Sequence, residues 1–121
     1  MSTDRLGEYL VHMIEAAELI SAYVEDMDKQ AFLADRRTQQ AVILNIIVLG
    51  EAATRILQDH GDFASSHPDI PWNNMKGMRN RMAHGYFDID LEIVWSTVCD
   101  AIPDLLVRLR RARGVPAPQG R

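Results

Sequence analysis

Residues 41–49 read Ala-Val-Ile-Leu-Asn-Ile-Ile-Val-Leu, apolar apart from Asn45. This run decides the fold. A helix that is apolar nearly all round is buried on more than one side, at the centre of a bundle or at a subunit interface. Asp35 is placed to cap its start, the helix runs to about His60, and Gly61 is placed to end it. Glu51 and Arg55 follow the apolar run at i, i+4 in the favourable acid-first order. The apolar stretch is far too short to span a bilayer.

Working outward, the same periodicity holds on both sides. Leu6, Leu10, Met13, Ala17, Ile20, Val24 and Met27 step by three and four residues, which predicts one apolar stripe on a first helix. Ser2 or Thr3 caps it. Downstream, His67-Pro68 and Ile70-Pro71 predict a loop over residues 61–71. A third helix starts near Pro71-Trp72, since proline suits a first turn, and ends at Gly85. The fourth starts after Asp88 or Asp90 and carries Ile93, Val94, Val98, Ile102, Leu105, Leu106 and Leu109. Pro103 falls inside that pattern and kinks or splits it. The reading is an all-α, antiparallel bundle of four to five helices, one domain over residues 1–113, with 114–121 as a flexible tail.

The chain has 121 residues, the size of a single domain, with 47% hydrophobic and 25% charged residues. That balance is globular, and a chain of this length buries its core without a metal or disulfide staple. Cys99 is the only cysteine, which excludes a disulfide framework and a cysteine zinc finger. His12, His60 and His67 show no metal-ligand spacing. Trp72, Trp95 and Cys99 are read as core residues. No N-terminal segment reads as a signal peptide, so the expected location is the cytoplasm, away from any membrane.

Thirteen Lys+Arg against seventeen Asp+Glu give a net charge of −4. This argues against a broadly basic, DNA-coating protein but leaves room for a local basic site. Two zones are basic. Arg108, Arg110, Arg111, Arg113 and Arg121 follow the last acid and suit a helix C-terminus. Lys76, Arg79 and Arg81 fall in a stretch with no carboxylate between Asp69 and Asp88.

The polar chemistry concentrates in Met78-Arg79-Asn80-Arg81-Met82-Ala83-His84-Gly85-Tyr86. Met75, Met78 and Met82 form an apolar stripe, read as core. His84 lies almost opposite that stripe, and Arg79 sits roughly 140° from His84 around the helix. Arg79 either reaches across a shallow basic surface or meets His84 of another subunit. The inventory suits a phosphodiester. Arginine matches phosphate oxygens with a planar fork, and histidine moves a proton near neutrality. RNA carries its own nucleophile, so such a site needs no metal or other cofactor. One His84 per chain supplies one proton-transfer group, and a two-fold dimer supplies two.

Ile70-Pro71-Trp72, Gly77-Met78-Arg79-Asn80, His84-Gly85-Tyr86, Ile89-Asp90 and Val94-Trp95, with Gly50-Glu51-Ala52, resemble the HepT-like toxins of the HEPN superfamily. The resemblance spans the chain from the first helix to Pro103. It implies an all-α HEPN bundle, a homodimer, and a metal-independent RNase site at the dimer cleft. Arg79, Asn80 and His84 match the family's Arg, polar residue and His. Tyr86 matches the tyrosine that a partner antitoxin, a minimal nucleotidyltransferase of MntA type, modifies with AMP from ATP.

The expected roles follow. His84 is the general base or acid, with a helix-terminal histidine as the plain alternative. Arg79 clamps the scissile phosphate, or it forms an interhelical ion pair with Glu51. Asn80 holds the phosphate or His84, or it is a surface amide. Lys76 and Arg81 add positive field. Glu51 positions Arg79 or pairs with Arg55. Tyr86 touches RNA, is the point of control, or packs at a helix boundary. The function expected is a ribonuclease toxin acting on RNA. The alternatives are a non-catalytic dimerisation module that binds nucleotide or RNA and partners a nucleotidyltransferase, and a purely structural helical subunit.

Overall fold

The computed structural model describes residues 5–114. The expected cap at Ser2 or Thr3 and the tail beyond Gly114 lie outside the described residues. Every regular element among those residues is helical. They are α1 (Arg5–Tyr23), α2 (Lys29–Leu33), α3 (Arg36–Asp59), α4 (Gly61–Ser66), α5 (Trp72–His84), α6 (Leu91–Ser96) and α7 (Ile102–Arg113). A 3-10 turn at Tyr86–Asp88 follows α5, and a π-helical segment at Thr97–Ala101 joins α6 to α7.

The caps explain the boundaries. The Asp35 carboxylate accepts from the Thr38 amide at 3.1 Å and from its hydroxyl at 2.7 Å, starting α3 as expected. These bonds, the hydroxyl one first, hold the Asp35 carboxyl below its ordinary range. Pro71 precedes α5, and Gly85 closes it with its N–H on the Arg81 carbonyl at 2.8 Å. Asp90 caps α6 through the Glu92 and Ile93 amides. The expected break at Pro103 takes the form of the π segment, after which Pro103 sits in the first turn of α7.

Three short elements depart from the sequence reading. The expected loop after α3 instead rewinds at Gly61 into α4, which buries Ala64 and packs Phe63 against the core. Between α1 and α3, Asp28 caps α2, whose Phe32 is fully buried 5.2 Å from the Trp95 ring. Gln39 fastens α2 to α3 by donating to the Phe32 and Leu33 carbonyls. The third is the 3-10 turn after Gly85.

Helix α3 is the centre, packing on α1 and α5, while α7 packs on α1. Met13, Ile20, Leu49, Ile56, Leu109 and Val94 are among the fully buried side chains. Asn45 is buried within the apolar run and donates to the Ala41 carbonyl at 2.9 Å, which satisfies its amide inside the helix. By length and composition α3 could cross a membrane, but over half of that window is buried inside the protein, as befits a core helix. Leu44 within the apolar run is 59% exposed, and Leu19, Tyr23, Tyr86, Phe87, Ile93 and Val107 are also exposed among the described residues.

Cys99 is a correction. Expected in the core, it is exposed. Val98 and Ile102 take the buried positions on either side of it, and Cys99, about 100° around the helix from Val98, faces outward. Trp72 is buried as expected, and Trp95 is half-buried against the core.

Candidate active site at the contact of α3 and α5

Helix α5 runs antiparallel to α3. Gly50 meets the Arg79 end, and the Gln40 amide reaches the Tyr86 hydroxyl at 3.4 Å at the other. The contact is closest at Gly50. A Cβ there would fall inside the van der Waals shell of Arg79 Cβ and 2.6 Å from the Met75 carbonyl oxygen. Only a glycine lets the α5 backbone sit this close, and the closeness seats Arg79 against the side of α3.

Arg79 is held by α3 in two ways. Its Nη2 donates to Thr54 Oγ1 at 3.1 Å, and its Nη1 lies 3.5 Å from Glu51 Oε1. The other Glu51 oxygen lies 3.5 Å from Arg55 Nε. Glu51 therefore serves both arginines, which joins the two roles expected of it separately. Arg79 Nε is buried with no hydrogen-bond partner among the described residues. Its Glu51 contact is long for a charge-assisted hydrogen bond, so this guanidinium holds donors in excess of acceptors.

His84 is exposed in the last turn of α5, just before Gly85. Tyr86 is 47% exposed and Phe87 is 98% exposed, with ring centroids 5.9 Å apart. Among the described residues, Arg79 makes its polar contacts with α3 and none with His84. The chain thus brings Arg79, Glu51 and Arg55 together and leaves His84 and Tyr86 at the far end of the same helix contact. Asn80 and Lys76 are exposed on α5. Arg81 faces away from Arg79, and its Nη2 lies 3.2 Å from Met78 Sδ. Met75 and Met82 are buried as the methionine stripe requires, with Met78 half-buried. No three His, Cys, Asp or Glu side chains converge as a metal site among the described residues.

Two participants escape sequence reasoning. Thr54 is buried, donates to the Gly50 carbonyl at 2.7 Å and accepts from Arg79. Its signal is a threonine four residues after a helical glycine, legible only once α5 is known to cross there. Gln40 is the other, since its contact with Tyr86 spans distant parts of the chain.

Residues 13–112 match the family described as Ribonuclease HepT-like. The chain is 38% identical over 106 residues to "Probable ribonuclease HepT" of Thermococcus cleftensis, covering 88% of this chain and 94% of that one. It is 34% identical over 96 residues to "Putative RNase MJ0127" of Methanocaldococcus jannaschii, covering 79% of this chain and 77% of the relative. No solved structure matches it. An all-helical chain with this arginine and histidine on one helix, matched over most of its length, belongs to the HepT-like ribonuclease family.

Proposed function

We propose that the chain is a metal-independent endoribonuclease, the toxin half of a toxin–antitoxin pair, working as a homodimer. The observation that carries this reading is the set of exposed apolar side chains on α1, α3 and the turn that follows the exposed His84. Leu44 on α3, with Leu19 and Tyr23 on α1 and Tyr86 and Phe87 beyond α5, leaves large apolar side chains in water. Burying a leucine-sized side chain is worth roughly 1.5–3 kcal/mol, so a second copy gains from covering them. A two-fold axis crossing α3 near Leu44 brings two His84 side chains into one cleft.

In that cleft one His84 takes the proton of an RNA 2′-hydroxyl while its oxygen bonds to the adjacent phosphorus. The bond from phosphorus to the 5′-oxygen breaks, and the second His84 gives that oxygen a proton. The products are a 2′,3′-cyclic phosphate and a 5′-hydroxyl. Arg79 turns its spare donors to the phosphoryl oxygens and stabilises their growing charge. Asn80 adds a hydrogen bond, and Lys76 and Arg81 add positive field.

Tyr86 is the point of control. A minimal nucleotidyltransferase antitoxin transfers AMP from ATP to its phenolic oxygen, releasing pyrophosphate. The added bulk and negative charge then repel a phosphate from the cleft. The exposed ring of Tyr86 supports this role.

The test is RNA cleavage in EDTA by wild type beside His84→Ala. Cleavage by wild type alone, with cyclic phosphate ends, is expected, and equal cleavage by both overturns the reading. With the antitoxin and ATP, AMP mass is expected on Tyr86 and not on Tyr86→Phe. The engagement of Arg79 by Glu51 and Thr54 favours a second reading, a module that grips RNA without cutting it. It predicts saturable binding and no product at any pH.

A further inference from the structure

The face made by α1, α3 and α5 is divided. One half carries the exposed Leu44. The other half is a groove of about 410 Å³ between α1 and α3, walled by Arg5, Tyr9, His12 and Arg55. Ile47 and Val48 line its floor. Tyr9 and His12 belong to the same side of α1 as Leu19 and Tyr23, since all four step by helical spacing.

Glu51 is the one carboxylate among the lining residues. It is already shared by Arg55 and Arg79, each at 3.5 Å. Glu51 also lies 3.5 Å from Arg79, so the row of Arg79, Arg55 and Arg5, with the His12 imidazole beside it, leads away from the cleft. The Tyr9 ring stands edge-on to His60 at 6.2 Å, an aromatic wall beside an apolar floor. A row of cations along a groove with an aromatic wall is the chemistry that holds a single strand. Phosphates pair with the guanidiniums, and an unstacked base lies against the ring and floor.

We propose that this groove holds the RNA strand next to the cleaved phosphate, with Arg5, His12 and Arg55 on the backbone and Tyr9 against a base. Glu51 is a placeholder. It keeps Arg55 and Arg79 aligned in the free protein and yields them to phosphates when RNA enters. A base set against the Tyr9 ring has to leave its stack, so the strand held here is unpaired. This inference rests on the ribonuclease reading and deepens it by naming the substrate class and its path.

The test uses the full chain carrying His84→Ala and a fluorescein-labelled, unstructured 12-nucleotide RNA, read by fluorescence anisotropy. Adding Arg5→Gln and Arg55→Gln should raise Kd by about ten-fold and flatten the slope of log affinity against log salt by about 0.7 per lost phosphate contact. Adding His12→Gln should weaken binding by about two- to three-fold. Adding Lys29→Gln, on α2 beside Glu92, should change neither quantity. The same RNA annealed to its complement should bind more weakly. An unchanged Kd and slope in the arginine variant, or no binding of the RNA at all, overturns the groove. Failure of the ribonuclease reading shows separately, as wild-type protein that binds RNA through these residues and does not cut it.

Discussion

The Thr54 hydroxyl oxygen accepts from Arg79 Nη2 at 3.1 Å while its hydrogen goes to the Gly50 carbonyl at 2.7 Å. The backbone of α3 therefore sets where the arginine of α5 points. Thr54→Val keeps the side-chain shape and removes the acceptor. It should cost about 1–2 kcal/mol, because the arginine loses a partner in a half-buried position. Cleavage should fall by about ten-fold, mainly in kcat, with Thr54→Ser close to wild type. Single-turnover kinetics beside urea denaturation measures both, and a valine variant equal to wild type removes Thr54 from the site.

Gly50→Ala inserts a methyl group where there is no room. Pushing α5 off α3 should cost about 1–3 kcal/mol, the range for overpacking a core. Cleavage should fall further than stability alone requires, since Arg79 moves with α5. Chemical denaturation with unchanged slope and a lower midpoint is the expected result.

Leu44→Glu places a charge at this exposed position of α3 without touching the core. Sedimentation should show wild type as a dimer and the variant as a monomer, with helicity unchanged by circular dichroism. Cleavage should be lost with dimerisation. An active monomer would show that one chain carries the whole site.

Mixed dimers test whether both His84 side chains serve one cleft. Excess His84→Ala protein, exchanged with wild type, should suppress cleavage to the small fraction of remaining wild-type dimers. A loss of only half the activity per mixed dimer would mean that each chain works alone.

Asp35 carries a pH dependence with a fixed sign. Its folded carboxyl lies below the ordinary value because Thr38 hydrogen-bonds the charged form. The stability it supplies is fully present above the unfolded value of about 3.9 and is lost as pH falls through the lower folded value. Asp35→Asn should lower the melting temperature at neutral pH and flatten its decline in acid. A variant whose acid profile parallels wild type would place the acid sensitivity elsewhere.

The long helices were legible because their ends carry their own signals. Asp35, Pro71, Gly85 and Asp90 each act through local geometry, and each bounds a helix where expected. Helices α2 and α4 were not legible, since five or six residues are too few to show a period. Cys99 misled because it was read by residue type as a small hydrophobe, although it follows the buried Val98 by about 100° around the helix and so leaves the apolar face. In the site, the residue types of Arg79 and His84 were readable and the company they keep was not. Glu51 was a candidate from spacing, but Thr54, Gln40 and the α1 groove depend on which helices meet. Tertiary contacts of this kind leave no local trace.

The π segment also bears on how the chain tolerates changes in length. A wide turn of this sort accommodates one residue more than regular winding needs, while the helix on either side keeps its face to the core. Val94 before it, Val98 within it, and Leu105 and Leu109 after it are all buried. Pro103, lacking an N–H for the carbonyl one turn back, leaves the helix free to widen there. Removing Cys99 should let the turn tighten with those four side chains still inward. The same single deletion within the apolar run of α3 would swing Gly50 away from Arg79. The two halves of the molecule thus differ in what they permit: α6–α7 can absorb a change of one residue, and α3 must keep its count.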